Sequence, residues 1–80
     1  MSYWNHRLLA TNDDEGLFLQ VHEVYYTDEG TPTGYGEKSV SIESETIKGI
    51  KWQVNRIKEC LKKPILWAGD KFPLEYKVNE

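Results

Sequence analysis

Residues 44–64 read SETIKGIKWQVNRIKECLKKP, and this stretch decides the fold class. Ile47, Ile50, Val54, Ile57 and Leu61 recur at intervals of three and four, which lines them on one helix face at 100° per residue. The pattern predicts an amphipathic helix over about residues 45–63. Ser44 is the expected N-cap, with Glu43 and Glu45 near the positive end of the dipole. Lys58, Lys62 and Lys63 suit the negative end, and Pro64 stops the run. Gly49 is a mild flaw, costing up to about 1 kcal/mol relative to Ala.

Upstream of the helix the chain reads as strands. Residues 17–26 are rich in Leu, Val, Phe and Tyr and form the longest predicted strand. Residues 3–10 alternate apolar and polar positions, and Asn12 to Gly16 supplies the turn of a hairpin between the two. The turn can be built in two registers. Paired numbers summing to 28 set His6 against His22, and a sum of 27 sends the two rings to opposite faces. A second turn at Thr27 to Gly30 leads to an irregular edge strand over residues 33–42, where Pro32, Gly34 and Gly36 suit an edge and a bulge near Gly36.

After the helix, residues 64–80 carry Trp67, Phe72 and Tyr76, too aromatic a set for a disordered end. This tail is expected to add a short strand or to lie across the sheet. The expected fold class is therefore α+β. A three-stranded antiparallel sheet is followed by one amphipathic helix (β-β-β-α), with a short C-terminal strand or extended tail, in two layers. Residues 1–80 are read as a single domain.

Composition narrows the function. A chain of 80 residues buries only about 60% of its unfolded surface, so the core is marginal and a homodimer is the expected source of extra stability. Cys60 is the only cysteine, which excludes an internal disulfide. No apolar run approaches the ~20 residues of a membrane span, and nothing near Met1 reads as a signal peptide. The expected location is cytoplasmic, with no membrane contact. The net charge of −3 is unevenly spread. Residues 1–47 hold nine acids against Arg7 and Lys38, whereas residues 48–63 hold six cations against Glu59. The helix is basic on an otherwise acidic protein.

Several motifs together suggest a family. Trp4-Asn5-x-Arg7, His22-Glu23-Val24-Tyr25-Tyr26 before an acidic Gly turn, Trp52-Gln53 within the helix, and Lys63-Pro64-Ile65-Leu66 after it resemble a family of small bacterial proteins. The likeness covers about residues 3–66. That family has no assigned activity, substrate or cofactor, so the resemblance implies a bacterial source.

The sequence shows no catalytic constellation. Cys60 lies within the helix rather than at an N-terminus that would lower its pKa, and reads as a small packing residue. A metal centre would need His6, His22 and Glu23 together, yet His22 and Glu23 point to opposite faces of one strand. Neither cofactor nor metal is expected, and the chain is not read as an enzyme.

One residue stands out. If Val54, Ile57 and Leu61 mark the buried side, Trp52 projects opposite, beside Lys48, Arg56 and Glu59. Either the tail covers this ring or another chain does, since Trp and Arg are enriched at binding hot spots. Tyr25 and Tyr26 end the long strand on opposite faces, and with Tyr3 and Tyr35 they form either cross-strand pairs that stabilise the sheet or an aromatic surface. Trp52, Lys48, Arg56, Tyr25 and Tyr26 are thus the candidate interaction residues of a non-catalytic protein-binding or regulatory module acting as a homodimer. Two alternatives stand beside it. One is nucleic-acid binding through Lys48, Lys51, Arg56 and Lys62, with Trp52 stacking on a base. The other is a small metal-dependent enzyme built on His6, His22 and Glu23.

Overall fold

The computed structural model describes residues 3–77. Two long strands, β1 (Tyr3–Asp13) and β2 (Gly16–Tyr26), form an antiparallel hairpin. The turn between them is tight, with Gly16 at φ 112°, a conformation that strains any residue with a Cβ. Asp13 pairs with Gly16, so paired numbers sum to 29 along the whole hairpin, a register beyond the two expected ones of 28 and 27. His6 consequently faces Glu23, Arg7 faces His22, and the two histidines lie on opposite faces.

Strand β3 (Pro32–Tyr35) pairs with the end of β2 at the sheet edge, as Pro32 requires. It is shorter than the expected 33–42. Its register shifts opposite Tyr25 and Tyr26, ahead of the anticipated bulge at Gly36. Beyond it the chain follows β2 without forming a ladder, donating from Gly36 N to Glu23 O and from Val40 N to Val21 O. Helix α1 (Ile47–Lys58) and a 3-10 turn (Glu59–Lys62) then cross back. They deliver β4 (Ile65–Trp67) parallel to β1, and β5 (Glu75–Tyr76) closes the far edge.

The fold class differs from the expected one. The sheet is five-stranded, mixed and curled, in the order β3-β2-β1-β4-β5, and not a three-stranded antiparallel sheet layered on a helix. Two physical causes stand out. The tail pairs its backbone: Leu66 lies beside Leu9, and Trp67 N donates to Leu74 O. The sheet also curls into a half-barrel, so that Gly69 N, in the connection after β4, donates to Tyr35 Oη of β3 at 2.7 Å. The core sits inside this curl. Leu9, Val24, Tyr26 and Leu66 are buried there, with Tyr35, Ala68 and Phe72 packed against them.

The helix is not the second half of a two-layer core. None of its residues is buried, and Ile47 is 76% exposed. Relative to the expected stripe it is rolled by roughly a quarter turn, so that Gly49, Gln53, Arg56 and Cys60 face the protein instead of Val54 and Leu61. A polar clamp favours this roll: Gln53 Nε2 donates to Glu43 O at 2.7 Å, and Glu43 N donates to Gln53 Oε1 at 2.9 Å. The N-cap is Thr46 rather than Ser44, its Oγ1 accepting from Gly49 N at 3.0 Å.

Gly49 acquires a reason. A Cβ there would overlap the Ser44 hydroxyl and stand 2.8 Å from Ser44 Cβ, which the backbone fixes in place. Gly49→Ala would ordinarily stabilise a helix by up to about 1 kcal/mol. Here it is expected to lower the melting temperature, because segment 44–46 and its cap must shift. A calorimetric rise in Tm would contradict this close approach.

Candidate functional site

On the convex face of the sheet, β1 presents Trp4, His6 and Ala10, and β2 presents Tyr25, Glu23 and Val21. The roll of α1 brings Arg56 into this group. Its guanidinium lies 4.8 Å from the Trp4 ring centroid and 5.2 Å from that of Trp52, one turn earlier on the helix. Cation–π attraction of this kind contributes about 0.5–1 kcal/mol per exposed pair. His6 meets Trp4 edge to face at 5.3 Å. Tyr25 lies opposite Trp4 in the hairpin and donates its hydroxyl to Glu23 at 3.1 Å. That bond and the carboxylate charge raise the Tyr25 pKa.

The surface is built but uncovered. Trp52 is 56% exposed and Trp4 39% exposed. The tail aromatics are engaged elsewhere: Phe72 packs on Tyr35, and Trp67 meets Tyr76 edge to face with Lys71 over its ring. Of the expected interaction residues, Trp52, Arg56 and Tyr25 share this face. Lys48 is exposed one turn before Trp52. Tyr26 does not belong. It is buried on the concave side, stacked on Tyr3 at 4.9 Å and accepting from Arg7 Nη1 at 2.9 Å. Trp4 was missed by the sequence reading, although its number, opposite Tyr25 in the observed register, would have placed it there.

His6 is buried beside this surface, and its Nδ1 has no hydrogen-bond partner among the described residues. Burial, and secondarily the Arg56 charge, lower its pKa below the ordinary 6.5, with Glu23 partly opposing. The folded chain therefore resists a proton that the unfolded chain accepts. Stability is complete above pH 6.5 and falls as pH drops from there toward the depressed value. His6→Gln should flatten that part of the curve. Denaturant titrations between pH 5 and 8 would show an unchanged slope if this assignment were wrong.

The other reactive groups are separated. His22 Nδ1 lies 2.8 Å from Gly36 O on the opposite face, fixing that ring structurally. Burial raises the Cys60 pKa, away from nucleophilic use. Among the described residues no group of three His, Cys, Asp or Glu side chains could hold a metal ion. A groove of about 430 Å³ is lined by Thr11, Asn12, Tyr35, Trp67 and Lys71, with Asp70 the single carboxylate among the described lining residues. No described helix is long and apolar enough to cross a membrane. No protein-family model, curated protein or solved structure matches the chain.

Proposed function

We propose that this chain is a small, non-catalytic protein-binding or regulatory module of the cytoplasm, acting as a homodimer and contacting another protein through Trp4, Arg56 and Trp52. The observation that carries this reading is Arg56 held between two exposed indoles. Burying such a prearranged aromatic–arginine cluster costs little side-chain entropy, which favours hot-spot behaviour. The homodimer is supported by imbalance. Among the described residues six hydrophobic side chains are buried, whereas twelve large ones are exposed. Affinity capture from the source cells, comparing wild type with Trp52→Ala/Arg56→Ala, tests the contact surface. Proteins retained by the wild type and lost by the double variant are expected, and an identical set on both would overturn it.

Nucleic-acid binding is a second reading, favoured by two exposed indoles beside Lys48 and Arg56. A salt-sensitive mobility shift, lost in Trp52→Ala, would support it, and no shift at low salt would exclude it.

A further inference from the structure

The apolar repeat that identifies the helix is left unused by the fold. Ile47, Ile50, Val54, Ile57 and Leu61 are spaced three, four, three and four apart, the a and d positions of successive heptads. Such a stripe ordinarily faces the core. Here no residue of α1 is buried, and the a positions stand outward: Ile47 is 76%, Val54 39% and Leu61 71% exposed. Ile50 and Ile57, at d, are half-buried. At 1.5 Å rise per residue the aliphatic stripe is about 20 Å long.

One flank of the stripe is basic. Lys51 and Lys58 occupy the e positions beside it, and Lys48 and Lys62 lie just beyond, all four exposed and turned away from the inward-facing Gln53 and Cys60. Among the described residues no carboxylate pairs with Lys48, Lys51 or Lys58. Glu59 is the only acid between Lys48 and Lys63, and it is taken by Lys62 at 3.4 Å. Glu45 precedes the N-cap, and the backbone of Glu43 is bound to Gln53 on the opposite flank. We propose that the stripe docks an acidic amphipathic helix of another protein. Its aliphatic residues at i, i+3, i+4 and i+7 would meet the stripe, and its Asp or Glu side chains would lie beside Lys51 and Lys58. This goes beyond the Trp4–Arg56–Trp52 contact and does not depend on it, since Trp52 projects roughly 160° around the helix from Val54.

Charge selects this occupant over a second copy. An antiparallel two-fold pairing through Val54 would set Lys51 against the second copy's Lys58, with like charges opposed at both ends. A parallel pairing needs the g flank, and there Gln53 and Cys60 face the protein itself. An acidic helix meets neither obstacle. An anionic bilayer fits less well, because the stripe carries no aromatic side chain to seat at the interface. The chain as a whole is also acidic, with nine acids in residues 1–47, and would be repelled by such a surface.

The test is calorimetric titration of the full chain with a synthetic three-heptad helix carrying Leu at a and d and Glu at e and g. This acidic peptide should bind, more weakly as salt rises, whereas its counterpart with Lys in place of Glu should not. Val54→Asp, checked for folding by circular dichroism, should weaken binding by about 10- to 100-fold, and Trp52→Ala should leave it unchanged. Lys51→Glu/Lys58→Glu should transfer binding to the basic peptide. No binding of the acidic peptide at low salt, or equal binding of both peptides, would overturn the proposal. So would binding to phosphatidylserine–phosphatidylcholine vesicles without binding to the peptide, which assigns the stripe to a membrane. A wild-type dimer that Val54→Asp converts to monomer in light scattering would assign it to a second copy instead. None of these failures touches the Trp4–Arg56–Trp52 surface, which stands or falls on the capture experiment with Trp52→Ala/Arg56→Ala.

Discussion

Leu9→Ala is expected to lower the unfolding free energy by about 2–5 kcal/mol, the range for a buried leucine whose site collapses incompletely. Leu9 is 1% exposed and belongs, among the described residues, to a cluster of four buried ones, with Leu66 beside it across the parallel pairing. A domain of this size has a total stability of roughly 4–12 kcal/mol, so one truncation removes a large fraction of it. Leu61→Ala is the matched control. Leu61 belongs to the helix's apolar pattern in sequence but is exposed in the 3-10 turn that follows α1, and its truncation should change stability by less than about 0.5 kcal/mol. Urea denaturation of both variants separates a core inside the curl from a core beneath the helix. Equal losses, or a larger loss for Leu61→Ala, would contradict the fold.

Arg7→Ala is expected to cost about 2–4 kcal/mol, for a different reason. Arg7 is 8% exposed on the concave face. Its Nη1 donates to Tyr26 Oη at 2.9 Å, and its Nη2 donates to Pro64 O at 2.7 Å. It thus ties β1 to β2 and to the residue just before β4. Among the described residues no carboxylate pairs with it, and its Nε has no partner. The desolvated guanidinium is offset only by these two bonds and by packing of its stem. Arg7→Met keeps most of the stem volume and removes the charge, so it should lose clearly less than Arg7→Ala. Equal losses for the two variants would show that the hydrogen bonds, rather than the packing, carry the effect.

Those two residues also show what could be read from the sequence. The hairpin was legible because β1 and β2 are contiguous and alternate clearly. Its register was not, because Asp13 and Gly16 pair directly across a tighter turn than either expected alignment assumed. That single step decides whether Arg7 or His6 faces His22. The parallel placement of β4 beside β1 was beyond sequence reasoning, since three residues carry too little pattern to reveal a partner more than 50 positions away. The helix was legible as a helix and misread as a core element. Its apolar spacing pointed Val54 and Leu61 inward, but the Gln53 clamp on Glu43 and the seat of Arg56 between two tryptophans accompany a different roll. Trp52 and Arg56 stood out in the sequence for the exposed indole. Trp4 became visible only once the hairpin register and the helix roll were known.

The proposed module depends most directly on self-association. Light scattering of the wild-type chain across a concentration series should give twice the 9.4 kDa of one chain, falling toward one chain only on dilution. A mass of one chain at every concentration would contradict the homodimer on which the proposed function rests.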